Sequence, residues 1–271
     1  MFPLLLIFTF FSTLAGGSPL LEVFFFNVGY GDSILIRLPE GRHVLIDGGY
    51  PEHGARIVDE IKKLGIAHLD LVVSTHPHPD HIGGLAEVLN NFKVDRVIGS
   101  HPLTSDLLPE AFVSPIKNKN IPYKPGRRGE KLFESDELSM EIFHPVQVDE
   151  DLNNSSIGIR LKFKNISFLF TADISPRAEK ELLLAGIPLQ ANVLKAGHHG
   201  HATLREFIEA VRPEMVIISV GENPYGAPLP ETLELYQQLG IKILRTDQMG
   251  TIHLATDGLT LWNLTNLNKK P

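Results

Sequence analysis

Within the ten residues Thr75-His76-Pro77-His78-Pro79-Asp80-His81-Ile82-Gly83-Gly84 the chain gathers three imidazoles and one carboxylate, just after an apolar run and just before an amphipathic one. Pro77 and Pro79 hold the residues before them extended, so His76 and His78, two apart, project to one side and can share one cation. Asp80 and His81 begin the turn into the following helix and point elsewhere, which suits a second cation close by. The competing reading is a His-rich solvated turn whose Asp80 caps the helix, but such a turn needs no fixed spacing.

Composition narrows what else could hold a metal. The 271 residues include 12 His and no Cys, which excludes a disulfide framework, a thiolate nucleophile, a Cys-ligated zinc finger and a Cys-held iron–sulfur cluster. Any cation must be bound by His, Asp or Glu. With 25 Lys and Arg against 32 Asp and Glu the net charge is −7, which argues against coating nucleic acid by bulk charge and leaves open a local basic patch. A 43% hydrophobic and 21% charged chain is ordinary for a packed globular protein.

The elements that must position these residues follow from the hydrophobic pattern. Runs at 23–28, 33–38 and 43–47 read as three strands of an antiparallel meander, followed by a helix over 52–64 and a buried strand over 69–74 that delivers the His cluster. A helix over 82–92 comes next. Residues 100–154, rich in Pro, Lys and Asn, give only a weak strand signal at 138–143 and read as a connection. Beyond them the pattern predicts strands at 157–163, 167–171, 191–194, 215–220, 242–245, 251–255 and 259–263, and helices at 176–184, 204–211 and 231–239. Two such halves suggest an α+β fold of two sheets packed face to face with helices outside.

Residues 1–19 differ from the rest: they carry no charge, are almost continuously apolar over 2–14, and end in Ala15-Gly16-Gly17-Ser18. This predicts a secretory leader or an uncleaved N-terminal anchor, and hence a secreted or periplasmic protein with residues 20–271 as one domain. The run falls short of the roughly 20 residues of a membrane span, and no long apolar segment follows it.

The His cluster, together with Val28-Gly29-Tyr30-Gly31-Asp32-Ser33, Leu45-Ile46-Asp47-Gly48-Gly49, Thr171-Ala172-Asp173, Leu194-Lys195-Ala196-Gly197-His198-His199-Gly200 and Arg245-Thr246-Asp247-Gln248, resembles the metallo-β-lactamase-fold hydrolases, and more closely the soluble hydrolase domain of ComEC-type DNA-uptake proteins. The resemblance implies a four-layer αββα sandwich with the metal site at one edge. It implies that Asp173 bridges two metals and that His198 is the last ligand of the second, beside Asp80 and His81. The resulting ligand set is His76, His78, Asp80, His81, Asp173 and His198.

Asp173 follows one predicted strand and precedes a helix, so it is either a carboxylate at a loop mouth or a helix N-cap. Of the adjacent His198 and His199 only one is expected to face a given point. His198 is taken as the ligand, and His199 and His201 as catalytic or substrate-contacting neighbours of Asp80. Asp47 and Asp32 are expected behind the ligands as orienting acceptors. Such a donor set suits Zn2+, one or two ions, and tolerates Mn2+.

Two departures from the ComEC-type pattern bear on activity. Where many superfamily members carry a further ligand His this chain has Asn153-Asn154-Ser155-Ser156; Asn153 and Asn154, expected behind the ligands, could give a weak oxygen ligand or a hydrogen bond to a phosphate, against the plain reading of a polar turn before a strand, and His144 is either another candidate or a strand end. Ala227 and Leu229 stand where ComEC-type domains usually have His, removing groups that could act as general acid. His201 is the expected substitute. A basic stretch, Lys117, Lys119, Lys124, Arg127, Arg128 and Lys131, could track a nucleic-acid backbone or merely form a solvated face. The reading is therefore an exported metallo-hydrolase acting on a phosphodiester through a metal-activated water, with nucleic acid as a possible partner. The alternatives are an esterase of the phosphorylcholine type and a catalytically weak, metal-stabilised binding module.

Overall fold

The computed structural model describes residues 19–265, so the expected leader lies outside them apart from Pro19. Two mixed sheets form the centre. In spatial order the first contains Leu261–Asn263, Ile252–Thr256, Leu21–Phe25, Ile34–Arg37, His43–Ile46, Leu71–Ser74, Val97–Gly99 and Tyr123–Pro125. The second contains Lys242–Arg245, Met215–Ile218, Val193–Lys195, Ile166–Phe170, Gly158–Phe163, Leu138–His144 and Lys131–Glu134.

Alternation along the strands accounts for the layering. Val23, Phe25, Ile34, Ile36, Leu71 and Val73 of the first sheet meet Met140, Ile159, Leu161, Phe168 and Ile217 of the second in one buried core. The opposite face of the first sheet, through Phe24, Leu35, Leu45 and Val72, packs on helices Gly54–Lys63, Leu85–Asn91 and Glu110–Asn118. Leu169, Leu194 and Val216 on the outer face of the second sheet cover helices Pro176–Leu184, Arg205–Val211 and Pro230–Gln238. Each fully buried aliphatic or Phe side chain contributes about 1.5–3 kcal/mol relative to exposure, so both faces of each sheet must be covered. The result is an αββα sandwich of the α+β class.

The strand meander at the start is antiparallel as its short turns require. The connection expected over 100–154 holds more structure than the pattern showed: a helix at Glu110–Asn118 and strands at Tyr123–Pro125 and Lys131–Glu134. Pro115 interrupts the helical signal there, and strands this short carry little periodicity. The last two strands cross back to the first sheet, where Ile252–Thr256 pairs with Leu21–Phe25 and Leu261–Asn263 pairs with Ile252–Thr256.

His43–Ile46 and Leu71–Ser74 run parallel, as do Ile166–Phe170, Val193–Lys195 and Met215–Ile218. Their carboxyl ends gather along one edge between the sheets, where strand-to-helix loops are free to carry functional side chains. Among the described residues no helix is long and apolar enough to cross a membrane.

Candidate metal centre

Asp173, in the loop between strand Ile166–Phe170 and helix Pro176–Leu184, occupies the middle of this edge. Its Oδ2 lies 3.2 Å from His81 Nε2, 3.3 Å from His199 Nε2, and 3.8 Å from both His76 Nε2 and His198 Nε2. Asp80 Oδ2 is 3.3 Å from His199 Nε2 and 3.6 Å from His81 Nε2, and the two imidazole nitrogens are 3.2 Å apart. Asp80, His81, Asp173 and His199 thus form one buried four-atom group. Tetrahedral ligands about 2.0–2.1 Å from zinc are separated by about 3.3–3.4 Å, so the donor set fits a cation in chemistry and in spacing. His76 Nε2 and His78 Nδ1, 3.1 Å apart, make a second pair next to this group. Asp173 Oδ1 is buried without a hydrogen-bond partner, as a carboxylate with a further charge to meet would be.

One carboxylate behind these rings orients several of them. Asp47 accepts from the Thr75 backbone N–H at 2.8 Å, from Thr75 Oγ1 at 2.6 Å and from His81 Nδ1 at 2.8 Å. That leaves His81 Nε2 facing Asp80 and Asp173. Thr75 Oγ1 in turn sits 3.1 Å from His76 Nδ1, and Ser156 Oγ 3.3 Å from the same nitrogen. His199 Nδ1 donates to the Ser219 carbonyl at 2.9 Å, which turns its Nε2 inward. Such bonds to the far nitrogen fix tautomer and ring orientation.

The electrostatics are those of a cation site. Burial opposes ionisation of Asp173, yet the charges of His199 and His81 hold its carboxyl well below the usual range. Asp80 is likewise held low against burial by its hydrogen bond to His199 and the charge of His81. Burial pushes His76 well below its ordinary value and His198 down to about 4, so both rings are neutral near pH 7. His81 and His199 are raised despite burial, chiefly by Asp173.

The structure distributes the expected residues unevenly. His76, His78, Asp80, His81 and Asp173 come together. His198 does not enter the four-atom group: its side chain is 29% exposed and its ring stacks on His201 at 4.3 Å. The inward position belongs to His199, because both residues adopt left-handed backbone, with φ of 46° and 55°, and the turn swings the second ring in and leaves the first on the rim. His201 Nε2 is 3.2 Å from the Tyr30 hydroxyl. Asn154 has its amide committed to Ser175 and Asp151, while Asn153 Oδ1 is buried without a hydrogen-bond partner. His144 is buried and donates from Nδ1 to the Ser156 carbonyl.

Asp32 is drawn in by a residue to which the sequence assigned no role. Lys195, at the end of strand Val193–Lys195, is fully buried and places Nζ 2.5 Å from Asp32 Oδ2 and 3.9 Å from Asp173 Oδ1. Its signal was present as a lysine closing an apolar run, which a packed strand tolerates only with a partner.

The basic stretch is largely engaged within the chain. Lys119 donates to the carbonyls of Leu89 and Asn90, Arg127 to Ser100 and Gly126, and Arg128 to Phe143. Lys124 pairs with Glu130 and Lys131 with Glu134.

Fold and site together define a metal-site protein of the αββα class. The sequence profile of the metallo-beta-lactamase superfamily matches residues 26–219, and the chain belongs to that superfamily. Among curated proteins it is similar to ComE operon protein 3 of Bacillus subtilis (strain 168), 31% identical over 252 residues, covering 85% of this chain and 32% of the relative. It is also similar to competence protein ComA of Neisseria gonorrhoeae, 28% identical over 237 residues, covering 84% of this chain and 31% of the relative. The chain therefore spans about a third of the length of these relatives, and its motifs are those of the ComEC-type hydrolase domain. Among solved structures, the metallo-beta-lactamase fold protein YhfI from Bacillus subtilis aligns with a TM-score of 0.53 at 11% identity, covering 90% of this chain and 99% of that one.

Proposed function

We propose that the chain is an exported, metal-dependent hydrolase of phosphodiesters, with residues 20–271 acting as one catalytic unit. The observation that carries this reading is Asp173 Oδ2, which lies 3.8 Å from His76 Nε2, 3.2 Å from His81 Nε2 and 3.3 Å from His199 Nε2. A carboxylate so placed can serve two adjacent cations, one held by His76, His78 and Asp173 and the other by Asp80, His81, Asp173 and His199. Zinc, or manganese, bound there would lower the pKa of a coordinated water toward neutrality and polarise the ester oxygen under attack.

The chain's own residues supply positioning and protons. Asp47 and the Ser219 carbonyl lock the rings of His81 and His199 before substrate arrives. Lys195 balances the buried charge of Asp32 beside them. At the rim, Ala227 and Leu229 provide no imidazole, and the groups nearest that role are His201 and Tyr30, 3.2 Å apart. Burial, with Asp173 and Asp80 nearby, keeps the Tyr30 hydroxyl protonated well above pH 7. It can therefore donate to His201 Nε2, a ring that burial and the charge of His199 hold below its ordinary value.

Competence relatives favour a nucleic-acid diester as the substrate class. The test is metal content by mass spectrometry together with hydrolysis of bis(p-nitrophenyl) phosphate and of single- and double-stranded DNA. Asp80→Ala, Asp173→Asn and His199→Ala should abolish turnover. Stoichiometric metal with no turnover of any diester would replace this reading with a binding module, and turnover confined to phosphorylcholine esters would move it to the esterase. Export is tested separately by N-terminal sequencing of protein recovered outside the cytoplasm.

A further inference from the structure

Tyr225 is 57% exposed and stands within one ring contact of the metal centre's own aromatic wall. Its ring lies 5.1 Å from that of Tyr30, and Tyr30 lies 4.3 Å from the ring of His199. His201 closes the third side, 6.3 Å from Tyr225 and 6.5 Å from Tyr30. Four aromatic rings therefore step outward from the buried group to solvent. Tyr225 is the sole aromatic among the exposed large hydrophobic side chains of the described residues.

The loop that carries this ring is held firmly. Asn223 Oδ1 accepts from the backbone N–H groups of Tyr225 and Ala227, and Asn223 Nδ2 donates to the carbonyls of Gly221 and Ala227. At its root Gly221 packs directly on Gly29, so closely that a Cβ on Gly221 would overlap the Gly29 backbone. The two loops bearing Tyr30 and Tyr225 are thus fixed to each other. A large ring held in place with one face to water contributes little to folding, but it is preorganised to receive a flat partner.

We infer that Tyr225, backed by Tyr30 and His201, is a stacking platform for a nucleobase next to the phosphate that lies at the metal centre. Two ring steps of 5.1 and 4.3 Å separate Tyr225 from His199, within reach of a nucleotide, in which a single sugar separates phosphate from base. A ring face reads no base edge, so the platform should accept any base, as stacking sites do. Double-stranded substrates, whose bases are already stacked, should bind less well. This rests on the phosphodiester reading, but it concerns binding and can be tested without turnover.

The experiment is equilibrium binding, by fluorescence anisotropy, of the zinc-loaded full chain to a labelled oligothymidylate and to an abasic oligomer of the same length and charge. The oligothymidylate should bind about tenfold more tightly, a gap that Tyr225→Leu closes and Tyr225→Trp preserves. A cyclic mononucleotide that competes for the site assigns the platform to a single nucleotide, whereas failure to compete assigns it to a strand. Equal affinity for base-bearing and abasic oligomers, or equal weakening of both by Tyr225→Leu, would overturn the inference. Base-dependent binding without hydrolysis would leave this platform standing and remove the catalytic reading alone.

Discussion

Lys195 and Asp32 form an ion pair of 2.5 Å in which the lysine side chain has no exposed surface and the aspartate has almost none. The pair ties the loop holding Asp32, whose backbone N–H donates to the Asp80 carbonyl, to the strand that leads into His198 and His199. The first sheet's ligand loop and the second sheet's ligand loop are joined by it.

Removing one member of a buried pair leaves an uncompensated charge, a loss of about 3–5 kcal/mol. Lys195→Met and Asp32→Asn should each lower the unfolding free energy, read from denaturant titration, by that amount. The double variant should lose clearly less than the sum of the two. Additive losses in a double-mutant cycle would show that the pair is not coupled.

Asp47 accepts three hydrogen bonds that orient His81 directly and His76 through Thr75. Replacing a carboxylate behind a ligating imidazole commonly weakens metal affinity about 10–100-fold. Asp47→Ala should show a loss of that size in competition with a chromogenic chelator. Unchanged affinity would mean that the rings are fixed by packing alone.

His199→Ala should remove a cation that His198→Ala leaves in place, since only His199 reaches both Asp80 and Asp173 within 3.3 Å. Metal content by plasma mass spectrometry on the two variants reads this directly. Equal loss from both would return His198 to the ligand set.

These residues also show what the sequence could reveal. The spacing of His76, His78, Asp80 and His81 was legible because two prolines and a strand end dictate where they point. The layered fold was legible because apolar runs of two periods recur in order. The choice between His198 and His199 was not, since it turns on two successive left-handed residues that no hydrophobic pattern encodes. The role of Lys195 was not legible, because its partner, Asp32, is distant in sequence and lies in the opposite sheet's loop. The middle region was hidden by Pro115 within a short helix.

Gly84 tests how the Asp47 loop is held in register. A Cβ on Gly84 would overlap the carbonyl oxygen of Gly48, and one on Gly48 would come 2.6 Å from the Leu85 backbone nitrogen. The helix following the His cluster therefore packs backbone against backbone on the loop carrying Asp47. Gly84→Ala should displace that loop, lower stability by about 1–3 kcal/mol as overpacking does, and weaken metal binding with it. Gly65→Ala is the comparison, since Gly65 has open space around it and only its φ of +76° to lose. It should cost stability without changing metal affinity.

Glu179 carries the pH dependence that lies clear of the metal ligands. Its carboxyl is buried, accepts from Thr203 Oγ1 at 2.6 Å and from the Leu204 N–H at 2.7 Å, and is pushed by burial from an ordinary 4.5 up to about 7. A carboxyl raised in the folded state takes up protons on folding. Its contribution is therefore fully present below pH 4.5 and is lost as pH rises through about 7. At about 1.4 kcal/mol per pH unit, the whole difference is about 3 kcal/mol. Glu179→Gln keeps the size of the side chain and cannot ionise, so its stability relative to the parent should rise between pH 5 and pH 8. Urea midpoints of the two proteins at both pH values measure that difference. A constant offset would mean that Glu179 is already ionised in the folded protein at pH 5, with its two hydrogen bonds outweighing burial.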